Sequence, residues 1–119
     1  MNVKLYDSEL KVMEVLWKKG EMPAKDIALL LEEEIAWNKN TTYTVIKKCI
    51  KKGAIERQDP LFICKPLISR KDVQKYEIRE LANRLFGGSK ISLFSSFVDN
   101  EELSREELKQ IWDIINKKQ

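Results

Sequence analysis

Three times before Gly53 the apolar residues recur at three- and four-residue steps, and directly after it the period shortens to that of brief extended runs. This ordering admits few architectures, because a helical stripe and a two-residue alternation bury different faces. Leu10, Met13, Leu16 and Trp17 mark an amphipathic helix over Ser8–Lys18, with Asp7 or Ser8 placed to cap it and Gly20 following its end. Pro23 suits the first turn of a second helix, whose buried face is Ile27, Leu30 and Leu31 and which runs to about Glu34. Asn38 is suited to cap a third. In that helix Thr42, Val45, Ile46, Cys49 and Ile50 share one face, while Asn40, Tyr43, Thr44, Lys47, Lys48 and Lys51 lie toward the other, and Gly53 is the stop. Ile55–Gln58 and Leu61–Lys65 then flank Asp59-Pro60, which reads as a tight hairpin turn. Helix, helix, helix, hairpin is the order of a winged helix-turn-helix, a scaffold that presents its third helix outward.

From Ser69 the pattern is helical again. Ser69 and Asp72 are spaced as an acidic capping box, and Val73, Ile78, Leu81, Ala82 and Leu85 run up to Gly87-Gly88. A short helix with Ile91, Phe94, Phe97 and Val98 follows. The last helix opens with the capping box Ser104–Glu107 and carries Leu108, Ile111, Trp112 and Ile115. Two short striped helices bury both stripes poorly by themselves, and a second copy of the chain is the economical cover. The expected fold class is mainly α with a small β-hairpin: an N-terminal winged helix-turn-helix at residues 1–68, then a C-terminal helical dimerisation region of three helices at 69–119. Leu85, Phe86, Phe94, Phe97, Val98, Leu108, Ile111, Trp112 and Ile115 are the expected seam, with ordinary core packing as the competing reading.

The chain contains no histidine, which removes Ser-His-Asp and Cys-His catalysis and the commonest metal ligand. Neither a phosphate-binding GxxxxGK[ST] loop nor a GxGxxG turn occurs. Cys49 and Cys64 form no CxxC pair and read as reduced thiols. The chain is therefore expected not to be an enzyme and to need neither cofactor nor metal. No apolar run approaches the roughly 20 residues that span a bilayer, and the first residues lack a secretory leader, so no membrane insertion and a cytoplasmic location are expected.

Net charge is only +3, yet residues 38–57 hold six basic groups against one acidic. A local excess of this kind is the electrostatic footprint of a polyanion-binding face. A merely solvated helix is the plain alternative, but the third helix offers its lysines few acidic partners at four-residue spacing. Asn40, Thr41, Thr42, Tyr43 and Thr44 precede those lysines and are short enough, or polar enough, for a helix N-terminus to approach DNA. Asn40, Tyr43 and Thr44 are the expected base-facing residues, and Lys47, Lys48 and Lys51 the expected phosphate contacts. Lys25, at the start of the second helix, and Arg57, at the wing, add phosphate contacts.

Three segments taken together resemble the penicillinase-repressor family, the BlaI/MecI/CopY type. SELKVMEVLWKKGEMPAKDI is similar to the family's first two helices. WNKNTTYTVIKKCIKKGAIER is similar to its recognition helix and the entry to its wing, and LFGGSKISLFSSFVDNEELSREELKQI to its dimerisation region. The resemblance implies a homodimeric repressor on a palindromic, double-stranded DNA operator, controlling β-lactam resistance or a related response. It implies release by proteolysis at Ser96–Phe97, launched by a membrane sensor protease or a protease it activates. The chain departs from the family in carrying Tyr43 where arginine is frequent, Ser96 where asparagine is usual, and a wing turn compressed to QDPL. The cysteine-rich tail of the copper-responsive branch has no counterpart in INKKQ, which favours the β-lactam branch. Two other readings stay open: a winged-helix module that docks an acidic protein, and a small winged-helix regulator that answers a diffusible effector.

Overall fold

The computed structural model describes residues 3–118. Its elements in chain order are α1 (Asp7–Lys19), β1 (Met22–Pro23), α2 (Ala24–Ile35), α3 (Lys39–Lys51), β2 (Ile55–Gln58), β3 (Ile63–Pro66), α4 (Arg70–Leu85), α5 (Lys90–Asp99) and α6 (Arg105–Lys117). They form two compact units, Met1–Glu77 and Ile78–Gln119.

In the first unit the three helical stripes converge on one core. Val12, Met13 and Leu16 of α1, Ile27 and Leu31 of α2, and Val45, Ile46 and Cys49 of α3 are buried together with Ile55 and Cys64 of the sheet. Interleaving of these apolar faces is the main favourable term, on the order of 1.5–3 kcal/mol for each fully buried Val, Leu, Ile or Met side chain. Trp17 closes the edge of the core, and its indole N–H donates to the Ile68 carbonyl at 2.9 Å, so the ring is packed without orphaning its polar atom.

The small sheet has three antiparallel strands in the order β1-β3-β2, with Met22 opposite Cys64 and Arg57 opposite Cys64 on the other side. The hairpin expected from the sequence is therefore two-thirds of the sheet. β1 places Pro23 as the N-cap of α2 rather than inside its first turn. The cap of α1 also differs from expectation: it is Tyr6, whose N–H donates to the Glu9 carboxylate at 2.7 Å.

The first unit takes in the start of α4, whereas the sequence reading breaks the chain at 68/69. Arg70 donates to both Glu14 carboxylate oxygens at 3.1 and 2.6 Å, Val73 enters the core, and Lys4 pairs with Glu77 at 3.1 Å. The second unit is of a different kind. Neither α5 nor α6 has a buried residue, and Ile91, Phe94, Phe97, Val98, Leu108, Trp112 and Ile115 are all exposed. Ser104 caps α6 as a capping box with Glu107, as its spacing predicts.

Candidate nucleic-acid interface

The α3 helix starts cleanly because Asn38 accepts the Thr41 N–H through its side chain at 2.8 Å. Its first turn carries no acidic residue, so the partial positive charge of the helix N-terminus is left available to an anion. Asn40, Thr41, Thr44, Lys47, Lys48 and Lys51 are all exposed along the helix. Among the described residues, Lys47, Lys48 and Lys51 take part in no ion pair. Three ammonium groups without carboxylate partners next to amide and hydroxyl side chains form a surface able to meet phosphate oxygens and base edges.

Two residues of the expected set are covered to different degrees. Thr42 is fully buried, and its Oγ1 finds no partner among the described residues. It lies on the inward stripe with Val45, Ile46 and Cys49, one helical turn apart, and so is not on the outward face. Tyr43 is half-buried: its ring meets that of Phe62 at 5.9 Å between centroids, tilted by 60°.

The four lysines of the KK-x-x-KK run divide by direction. Lys52 turns inward, where its Nζ donates to the Glu9 carboxylate at 2.7 Å and to the Lys4 carbonyl at 2.8 Å, over the Tyr6 ring. Glu9 is buried, so Lys52 neutralises a carboxylate inside the fold rather than an external anion. Lys25 is exposed in the first turn of α2. Arg57 is exposed on β2, its Nε donating to Asp59 at 2.9 Å and its guanidinium lying 3.7 Å over the Phe62 ring.

Two residues outside the expected set bear on this surface. Lys39 is exposed in the first turn of α3 and adds to its charge. Phe62 joins the wing to α3, and nothing in the sequence pattern marks it, since it falls in the run read as a strand. The thiols are plain packing: burial pushes Cys49 up to about 12 and Cys64 up to about 11, so both stay protonated at neutral pH.

A three-helix core that presents its third helix outward beside a small antiparallel wing is a winged helix-turn-helix, the architecture of DNA-binding transcription regulators. The chain belongs to the penicillinase repressor family, whose model matches residues 5–117. It is 29% identical over 123 residues to the methicillin resistance regulatory protein MecI of Staphylococcus aureus (strain N315), covering 99% of this chain and all of that one. It is 28% identical over 114 residues to the penicillinase repressor of Bacillus licheniformis, covering 94% of this chain and 89% of that protein. The solution structure of the DNA-binding domain of the repressor BlaI superposes with a TM-score of 0.55 at 28% identity, over 60% of this chain and 90% of that domain. The monomeric form of Bacillus licheniformis BlaI in complex with the blaP half-operator superposes with a TM-score of 0.52, over the same shares of the two chains. The family is one of transcriptional repressors, and no described helix of this chain is long and apolar enough to cross a membrane.

Proposed function

We propose that this chain is a homodimeric repressor that binds a palindromic operator through α3. The observation that carries this reading is the outward face of α3: Asn40, Thr41 and Thr44 beside three lysines that pair with no carboxylate among the described residues. Asn40, Tyr43 and Thr44 read base edges, while Lys47, Lys48 and Lys51 hold the phosphate backbone, with Lys25 and Arg57 adding contacts at the flanks. The blaP complex holds BlaI as a monomer on a half-operator, which fits one chain of this protein to each half-site. Half-sites of a helix-turn-helix dimer recur about 34–36 Å apart, one turn of the duplex.

The dimer forms through the second unit. Phe94, Phe97 and Val98 of α5 and Leu108, Trp112 and Ile115 of α6 are an apolar surface that one chain leaves to water, and a second copy covers it. Leu85, Phe86 and Ile111 flank it. Release follows cleavage at Ser96–Phe97 by a membrane sensor protease or a protease it activates, since the cut falls within α5 and severs that surface. The regulated genes belong to β-lactam resistance or a related response.

A mobility-shift assay on the DNA upstream of the protein's own gene tests the reading. Wild type is expected to retard a fragment containing a palindrome. Lys47→Ala with Lys51→Ala weakens binding to every duplex alike, because phosphate contacts carry no sequence information. Retention of full affinity by that double variant refutes the assignment of α3 as the reading helix.

A further inference from the structure

Phe62 has three attachments that a solvent-facing turn residue does not need. Its carbonyl accepts the N–H of Ala24, the first residue of α2, at 2.9 Å. Its ring carries the Arg57 guanidinium at 3.7 Å on the wing side and meets the Tyr43 ring at 5.9 Å on the α3 side. Its backbone is left-handed, φ 51°, an unfavourable conformation for a bulky residue that persists only where surrounding contacts hold it. Arg57 is further fixed by its Nε–Asp59 hydrogen bond at 2.9 Å. Among the described residues its two Nη groups take no protein partner, which leaves them as donors for an outside acceptor.

We propose that Phe62 is a positioning residue for DNA recognition, one whose ring locks Tyr43 of α3 and Arg57 of the wing into a single reading unit. The proposal rests on the DNA-binding role of α3 and extends it to the wing. A four-residue turn, Asp59–Phe62, cannot reach far, so the wing's contribution is a guanidinium held at fixed geometry rather than a long flexible loop. Arginine suits this use because its plane stacks on an aromatic face while its edge still donates in parallel to phosphate or base acceptors. Ring and guanidinium pairings of this kind strengthen when DNA excludes water from them. Tyr43, pinned from the other side, loses the freedom to swing among base edges, so sequence preference and wing contact are coupled through one ring.

The test uses the full chain and a duplex that wild type selects from a random-sequence pool. Phe62→Leu keeps the apolar volume and removes the ring face; it is expected to weaken binding roughly tenfold and to relax the selected sequence. Phe62→Tyr keeps the face and is expected to bind as wild type does. Combining Phe62→Leu with Arg57→Ala is expected to cost little more than either alone, since both break the same unit. Arg57→Lys, a surface change that leaves folding intact, retains the charge but not the stacked plane and is expected to behave like Arg57→Ala. Wild-type affinity in either Phe62→Leu or Arg57→Lys, or strict additivity in the double variant, overturns the inference while leaving DNA binding by α3 standing. A wild-type chain that selects no duplex overturns both.

Discussion

Lys51 and Lys52 are neighbours with opposite employment. Lys51 points to solvent from the last turn of α3, whereas Lys52 reaches back to the buried Glu9 and to the Lys4 carbonyl. Removing Lys52 leaves a carboxylate inside the fold with the Tyr6 N–H as its one remaining donor among the described residues. Lys52→Ala is expected to cost about 1–3 kcal/mol in urea unfolding, less than the roughly 3–5 kcal/mol of a fully buried broken pair because Lys52 itself is partly exposed. Lys51→Ala should stay within about 0.5 kcal/mol of wild type and show its effect in DNA affinity instead. Equal stability losses for the two variants would contradict the division. Thr42 makes the complementary case. From sequence it satisfies two descriptions at once, a short polar residue at the front of a reading helix and a member of the inward stripe, and only packing decides between them. Its Oγ1 is buried with no partner among the described residues, so Thr42→Val, which keeps the shape and removes the polar atom, is expected to be neutral or stabilising by up to about 1 kcal/mol. DNA affinity of that variant should match wild type; a large loss would put Thr42 back among the contacts.

At the scale of elements, legibility followed length. The stripes of α1, α2 and α3 each extend over several turns, and a periodicity repeated that often leaves no second face to bury. β1 has two residues, too few to show any period, and becomes a strand only through pairing with Ile63 and Cys64 from the far side of the chain. The same turn that brings β3 alongside it consumes Leu61 and Phe62, so β3 starts at Ile63 rather than at Leu61. The α1 cap was equally invisible, because Glu9 acts through the backbone of Tyr6 and is simultaneously neutralised by Lys52, a residue far along the sequence. The α4 terminus, by contrast, was written in its spacing. Ser69 N–H donates to the Asp72 carboxylate at 3.0 Å, and this hydrogen bond holds the Asp72 carboxyl below its ordinary value. A carboxyl depressed in the folded state adds stability above its unfolded pKa and loses it as pH falls through the folded one. Thermal melts from about pH 5 down to pH 2 should therefore fall less steeply for Asp72→Asn than for wild type. Parallel curves would mean that the cap does not discriminate between the charge states.

For the whole molecule the decisive contrast is between a first unit with a closed core and a second whose α5 and α6 have no fully buried residue. Trp112 is 63% and Phe94 42% exposed, and leaving rings of that size in water forfeits more than any capping interaction in the same unit returns. In the proposed dimer a second copy covers these rings and links two reading helices, which bind far more tightly than one: the second half-site is met at the high effective concentration set by the first. Phe97→Asp introduces a charge into the centre of that surface and is expected to convert the chain to a monomer in sedimentation velocity at micromolar concentration, while leaving the melting of the first unit unchanged. Its operator affinity should fall by about 10²-fold or more, the usual worth of tethering two sites. Salt separates the two parts of that loss. If the wild-type dimer neutralises roughly 6–10 phosphates, its affinity drops about 10³–10⁵-fold between 50 and 200 mM salt, and the monomer, with half the contacts, shows about half the logarithmic slope. A variant that sediments as a monomer yet keeps the wild-type salt slope would place the phosphate contacts of both half-sites on one chain, which the single outward face of α3 has no residues to provide.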